Sequence, residues 1–576
     1  MDLDRDLNPE QKQAVLHGQG PLLILAGAGS GKTRVITYRI AHLIRERDVS
    51  HHEILAVTFT NKAAGEMKER VAGLVDDFKI PWISTFHSLG ARILRRHADL
   101  LGWQKDFIIY DADDSKRLGL TVMHELNLDP QIHKVDRLLR LVEGAKHRIK
   151  GPGQGGLKDR QAANFYIRYQ QKLQQANAFD FSDLIFQLNR LWSSYRDVLD
   201  DYKNRFSYVL VDEFQDTDRA QYGLLRMLCG RRANLCVVGD DDQSIYMWRD
   251  ADVSNILGFK RDYPEAAVVK LERNYRSTAN ILEAAAKVIA HNTKRHEKKL
   301  WTESGPGEEI KIEFLQDERD EAEEVVRCIQ AASRAGQNLD QLAIFYRMNA
   351  QSRALEEALR LYGVPYLIVG GTRFFDRKEI RDLMAYLRLI YNPKSDLDLL
   401  RAINVPARGI GKVTKEYLQQ KALQADSCIF EILTCEKLAG LRKAQRQKVL
   451  GFAELIGKLR QAAKKLDAAG LISRILEDSG YASALMADDD LTAQGRHENL
   501  KELVTAATDY AELSGDSSLS TFLEHVALVT AVDLAGADSE AVSLMTLHAA
   551  KGLEFDWVFM VGLEEGLLPH YRVLQP

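Results

Sequence analysis

At 576 residues, 45% hydrophobic and 28% charged, the chain is too long for one hydrophobic core and reads as several soluble domains. No apolar run is long enough to span a bilayer, the acidic start MDLDRDLNPE is not a secretory signal, and the five cysteines lack CxxC or zinc spacing, so a reducing cytoplasm is expected. A net charge of −4 argues against nucleic-acid binding by bulk charge and leaves a local basic groove as the only electrostatic route to it.

In chain order, Asn8 and Pro9 form a helix start, with Gln11 just inside it. The apolar run Leu22 to Leu25 then breaks into Ala26-Gly27-Ala28-Gly29-Ser30-Gly31 and ends in Lys32-Thr33-Arg34. This is the layout of a buried strand, a phosphate-cradling loop and a helix N-terminus, although Ala26 stands where GxxxxGK[ST] has its first glycine. A chance Gly-rich turn is the bland alternative. The helical periodicity of Val35, Ile36, Ile40, Leu43 and Ile44 speaks against it.

Strands are expected at Glu53 to Thr60 and Trp82 to His87, with Phe59 and Phe86 at their carboxyl ends as either core aromatics or base-stacking groups. From about Ser88 to Lys203 the pattern turns helical and locally basic, and Asp180 to Asp183 within it reads as a capping segment. The sheet resumes with Tyr208 to Val211, which delivers the adjacent carboxylates Asp212 and Glu213. In P-loop enzymes such a pair holds Mg²⁺ and polarises water. Leu235 to Asp240 leads into Gln243, Tyr246, Trp248 and Arg249, a set suited to sensing a γ-phosphate on one side and stacking a base on the other. A further strand, Ala267 to Leu271, runs into Asn274-Tyr275-Arg276.

Eleven motifs now stand in order: LNPEQ, AGAGSGKT, TFTNKAA, STFHS, DFSDL, VDEFQDT, VGDDDQSIYMWR, LERNYRS, FYRMNAQSR, NVPARGIG and LMTLHAAKGLEFDWVF. The chain resembles the bacterial superfamily 1A DNA helicases of the UvrD/Rep/PcrA family, its wording nearest to the PcrA branch. The resemblance implies an α/β fold of two RecA-like P-loop NTPase lobes with parallel sheets, each carrying a helical insert. The lobes would be residues 1–87 with 204–276, and 277–374 with 542–576; the inserts would be 88–203 and 375–541. Second-lobe strands are expected at Ile310 to Leu315, Leu342 to Arg347, Tyr366 to Gly370, Val542 to Leu547 and Trp557 to Val561.

By the same resemblance, Gln11 would read adenine and Tyr275 stack on it, with the loop Ala26 to Arg34 around the phosphates. Lys32, Asp212, Glu213, Gln243 and Arg276 would be catalytic, and Thr33 and Asp212 would hold Mg²⁺. Thr546, His548, Lys551 and Glu554 match the motif linking DNA to nucleotide, Glu554 on the ATP side. Phe59, Phe86, His87, Tyr246, Trp248 and His548 would meet DNA, and the Asp180 to Asp183 segment would add backbone contacts. The implied activity is 3'-5' unwinding driven by ATP, acting on single strands and single/double-strand junctions at the nucleoid in repair or replication, with no membrane partner. The family's closing motif YVGxTRA, which supplies a second γ-phosphate arginine, does not occur before Pro576, so a truncated second lobe is expected. That leaves a rival reading, a nucleotide-gated single-strand binder with impaired turnover. Met247 and Asp250 also depart from the pattern, Asp250 adding negative charge beside the DNA aromatics.

Overall fold

In the computed structural model, runs that are apolar at nearly every position form strands buried on both faces, except in the edge strand Ala267–Leu271, where Val268 and Lys270 face outward. They are β1 (Leu22–Ala26), β2 (Ile54–Thr58) and β3 (Ile83–Thr85); then, within the first insert, β4 (Ile108–Tyr110) and β5 (Ala178–Asp180); then β6 (Tyr208–Val211), β7 (Asn234–Gly239) and β8 (Ala267–Leu271). The structure describes all residues except 76–81, 155–156, 158, 231–233, 248–249, 370–374, 376, 426, 435–437, 439, 487–490, 529–539 and 571–576, and the side chains of 486, 491–495, 497–498 and 513. Trp248, and the end of the strand expected at Tyr366 to Gly370, lie outside the described residues.

The first sheet has the order β3-β2-β6-β7-β1-β8, and every pairing is parallel. Successive side chains alternate between two cores. Leu23, Leu25, Leu55, Val57, Val209, Val211, Leu235 and Val237 share one, while Leu22, Ile24, Ile54, Ala56, Leu210, Cys236 and Val238 share the other. A sheet covered on both faces has no solvent side, which is why these strands read as continuous apolar runs rather than alternating ones.

The chain leaves this sheet after β3 and returns at β6. The excursion is not purely helical, as expected, because β4 and β5 pair in parallel within it. It also holds a buried ion cluster. Lys146, fully enclosed, places Nζ 2.6 Å from Asp180 Oδ2 and 2.9 Å from Asp183 Oδ1. Burial and the charge of Asp180 push Asp183 up to about 6, while the two carboxylates, acting against burial, lift Lys146 above its ordinary value. Asp180 and Asp183 also form the capping box of the helix Phe181–Ser194. The two carboxylates thus face inward and are neutralised there, while Phe181 of the same segment stands exposed beside His87.

The second sheet comprises β9 (Leu342–Tyr346), β10 (Tyr366–Val369), β11 (Val542–Thr546) and β12 (Trp557–Met560) in the parallel order β10-β11-β9-β12. Helices from Lys378–Tyr391 to Leu519–Leu528 lie between β10 and β11 in the chain and share their own core. The expected strand Ile310 to Leu315 does not form. Its backbone joins no ladder among the described residues, and Ile312 and Phe314 stand exposed. Apolar alternation favours a strand only where a neighbour offers its backbone groups. The two inserts touch through Arg388, which reaches Asp114 Oδ2 at 2.7 Å and Asp398 Oδ1 at 3.0 Å. Among the described residues no helix is long and apolar enough to cross a membrane.

Replacing Lys146 by Met would strand two buried carboxylates. A loss of about 3–5 kcal/mol is expected for breaking such a pair from one side, read as a lower urea midpoint by circular dichroism at pH 8; an unchanged midpoint would contradict the buried cluster.

Candidate nucleotide cleft and nucleic-acid surface

The phosphate loop leaves the carboxyl end of β1, and Ala26 is the last strand residue rather than a loop donor. Gly29 and Gly31 take left-handed φ values of +63° and +83°. A Cβ on Gly29 would lie 2.6 Å from Asn274 Nδ2, so only glycine fits there. Ser30 Oγ donates to Gly27 O at 2.7 Å, closing the loop on itself, and Lys32 opens the helix Lys32–Glu46. Thr33 lies beside it in the first turn, and Arg34 is exposed.

Two side chains hold this loop from outside. Gln11, buried, donates from Nε2 to Ser30 O at 2.9 Å and accepts from Asn8 N at 3.1 Å. It thus braces the loop, with one amide hydrogen and one oxygen lone pair uncommitted. Asn274 donates to Ala28 O at 2.6 Å and accepts from the Arg276 and Ser277 N–H groups at 2.8 and 2.7 Å. Tyr275 N–H donates to Gly29 O at 2.9 Å, while its ring stays 46% exposed beside the loop with its hydroxyl accepting from Asn8 Nδ2 at 2.9 Å.

Across the loop, β6 ends in Asp212, only 5% exposed, and in Glu213, whose φ of +50° turns its carboxylate toward Lys32. Lys32 Nζ lies 3.3 Å from Glu213 Oε1 and donates to Gln243 Oε1 at 3.0 Å. Burial, with the adjacent Glu213 charge, pushes Asp212 up to about 7. Burial alone would raise Glu213 as well, but the ammoniums of Lys32 and Lys551 outweigh it and hold Glu213 below its ordinary range. Gln215, fully buried, donates from Nε2 to Glu213 Oε2 at 2.5 Å and accepts from Asp240 N at 3.0 Å. Gln243 in turn donates to Asp240 Oδ2 at 2.5 Å.

The second lobe reaches into this network. Lys551 Nζ pairs with Asp216, donates to Gln243 O at 2.7 Å and lies 5.1 Å from the Tyr246 ring centroid. Glu554 Oε2 accepts from Arg276 Nε at 2.6 Å, bridging the lobes at a second point. Tyr246 stacks on Phe59 with centroids 4.9 Å apart and planes 16° apart, and its hydroxyl donates to His548 O at 3.2 Å. His87 stacks on the half-exposed Phe181 at 3.8 Å.

Two expectations change. Phe86 is 5% exposed within the core that includes Trp82 and Leu89, because the helix Phe86–His97 starts directly at the strand end and turns the ring inward. Its ring is a packing group and cannot stack on a base. Asp250 does not aim at the aromatics: its Oδ2 lies 2.9 Å from His147 Nδ1 in the first insert.

Residues 7–264 match the model of the UvrD/REP helicase N-terminal domain, and residues 269–575 match that of the UvrD-like helicase C-terminal domain. The chain belongs to the UvrD/Rep helicase family. Relatives include the ATP-dependent DNA helicase PcrA of Staphylococcus epidermidis, 44% identical over 581 aligned positions that cover all of this chain and 80% of the relative. The PcrA of Staphylococcus aureus is 45% identical over 577 positions, 99% of this chain and 79% of that protein.

Within the UvrD/Rep frame, two supporting residues escaped the sequence reading. Gln215 stands two places after Glu213 in VDEFQDT, and Asn274 immediately precedes Tyr275 in LERNYRS. Each was visible only as one more polar letter inside a motif, since the bond that anchors it goes to backbone far away in sequence, Asp240 N for Gln215 and Ala28 O for Asn274. Gln215→Ala is expected to slow nucleotide hydrolysis about 10- to 100-fold through misplacement of Glu213, with nucleotide affinity nearly unchanged. Equal loss of both in a fluorescent-nucleotide titration and a turnover assay would contradict that role.

Proposed function

We propose that this chain is an ATP-dependent DNA helicase that moves 3'-5' along single-stranded DNA and opens single/double-strand junctions in repair or replication. The contact of Lys551 with Asp216 and the Gln243 backbone, beneath the Tyr246 ring, carries this reading. One side chain of the second lobe there meets the acid strand end, the γ-phosphate sensor and the aromatic pair together. A change in the nucleotide and a change in the base-stacking surface therefore act on the same atoms.

In this reading the motor lobes are residues 1–87 with 204–276, and 277–374 with 542–576, with inserts 88–203 and 375–541. ATP lies on the loop Gly27 to Gly31, its base against Tyr275, which leaves that ring half exposed to receive it. Lys32 now held by Glu213 and Gln243 exchanges these partners for phosphate oxygens. That frees Glu213 to take the proton of the attacking water and lets Gln243 register the γ-phosphate. Arg276, released from Glu554, stabilises charge developing on the transferring group. Phe59, Tyr246, Trp248, His87 and His548 form the single-strand surface, where stacking needs no base preference.

The donor set fits Mg²⁺. The Asp212 carboxylate and Thr33 hydroxyl are hard oxygen ligands, and among the described residues no group of three or more His, Cys, Asp or Glu could hold a metal by itself. An ion that keeps several waters and takes its remaining oxygens from phosphates suits such a sparse site. Bound there, Mg²⁺ neutralises phosphate charge.

Adding oligo(dT) should raise ATP turnover; Lys32→Ala should abolish turnover and keep oligo(dT) binding, and Trp248→Ala should weaken that binding by about 1–3 kcal/mol. Binding without any DNA-stimulated turnover in the unaltered chain would overturn the motor reading. Because Asp212 ionises near 7, it is mostly charged at pH 8 and mostly protonated at pH 6. Mn²⁺ binding to the nucleotide-free protein, followed by electron paramagnetic resonance, should weaken about tenfold over that drop. A flat profile would remove Asp212 from the metal site.

A further inference from the structure

After the helix Ala279–Ile289, early in the second lobe's stretch 277–374, the chain doubles back to the end of β8. Residues 297–301 run beside the end of β8: Lys270 Nζ donates to Glu297 O at 2.6 Å, Trp301 N to Glu272 O at 3.0 Å, and Asn274 N to Trp301 O at 2.8 Å. This lays Leu300 against the phosphate loop so closely that a Cβ on Gly27 would lie 2.2 Å from Leu300 Cδ2. It also delivers cations to three consecutive carboxylates ahead of Gln243. Lys298 Nζ donates to Asp240 Oδ1 and Asp241 Oδ1, both at 2.5 Å, and lies 3.3 Å from Asp242 Oδ2. Arg295 Nη2 donates to Asp242 Oδ2 at 2.8 Å, and His296 N to Asp241 Oδ2 at 2.7 Å. The Lys298 side chain is 2% exposed.

A single line of contacts results. Lys298 holds one oxygen of Asp240, the other oxygen accepts from Gln243 Nε2, and Gln243 Oε1 faces Lys32 Nζ. An amide side chain has a donor end and an acceptor end, so whatever fixes the acceptor beside Nε2 turns Oε1 toward Lys32 Nζ, and Gln243 then acts on the phosphates by positioning that ammonium, since Oε1 cannot itself bond a phosphate oxygen. We propose that Lys298 is a positioning residue for γ-phosphate recognition: by holding Asp240 it orients the Gln243 amide, and through residues 298–301 it ties that orientation to the end of β8 and the phosphate loop. The inference rests on the cleft being an ATP site. Lys298 touches no nucleotide. Its charge also offsets carboxylates that would otherwise repel a triphosphate, and the two effects separate experimentally, because Lys298→Met makes the cleft more negative and Asp240→Asn less so: charge alone would move the two ratios in opposite directions, whereas loss of the Gln243 orientation lowers both.

The test compares Lys298→Met and Asp240→Asn with the unaltered protein, measuring ADP and ATPγS affinities by displacement of a fluorescent nucleotide without DNA. In Asp240→Asn the new amide can satisfy Lys298 or Gln243 but not both, so Gln243 loses its fixed orientation without a buried charge being left unpaired. Both variants should lower the ratio of ATPγS to ADP affinity about tenfold or more, the order expected for a hydrogen bond to a charged group, with ADP affinity changed less than about threefold. An unchanged ratio, or parallel weakening of both nucleotides, overturns the proposal. If circular dichroism shows Lys298→Met unfolded, the Asp240→Asn ratio decides by the same criteria. The measurement needs no turnover, so a failure of the motor reading, seen as absent DNA-stimulated hydrolysis in the unaltered chain, stays distinct from a failure of this one.

Discussion

The fold is arranged around a problem of like charge. Parallel strands β6 and β7 end side by side, and their ends carry Asp212, Glu213, Asp216, Asp240, Asp241 and Asp242 toward the place where a triphosphate must lie. Left alone, these carboxylates would repel one another and any anion. Four cations from three separate stretches of chain answer them: Lys32 from the phosphate loop, Arg295 and Lys298 from the segment that follows the helix Ala279–Ile289, and Lys551 from beyond β11. Buried charges persist only where partnered. The positions of these stretches are therefore interdependent, and a cleft that is electrostatically balanced is also one whose parts are registered against each other.

The first sheet's strands were legible because burial on both faces leaves no room for polar letters, as in Leu22 to Leu25 and Val209 to Val211. The strands β4 and β5, three residues each, were lost among helices because so short a run carries no period. Ile310 to Leu315 failed in the opposite way, with a clear alternation and no neighbour to pair with. Phe59 and Phe86 looked alike at strand ends, yet a turn follows one and a helix begins at the other, so one ring lies half-buried against Tyr246 and the second is in the core. The motif residues of the cleft were readable because their chemistry is local to each motif. Gln215, Asn274 and Lys298 were not, because each is held by a group far away in sequence: Asp240 N for Gln215, Ala28 O for Asn274 and the Asp240 carboxylate for Lys298.

The same contrast separates the motor from its appendages. In the proposed motor, coupling runs through polar side chains gathered at strand ends, such as Gln243 with Lys32 and Lys551, where small displacements change hydrogen-bond partners. The inserts instead have their own apolar cores and meet each other through ion pairs such as Arg388 with Asp114 and Arg381 with Asp113. The cleft is thus tuned by geometry, and the inserts are held by bulk packing.

The sheet order has one more implication. The first insert departs after β3 and re-enters at β6, and both strands flank β2; the second departs after β10 and re-enters at β11, its direct neighbour. With strands about 4.8 Å apart and parallel, so that exit and entry lie at opposite strand ends, the two gaps span only about 17 Å and 11 Å. An excursion whose ends lie so close imposes almost no condition on its own length or shape. Evolution could exchange or enlarge either appendage while the sheets, and the cleft at their ends, kept their register, making these attachment points the natural seams at which one engine acquires different tools.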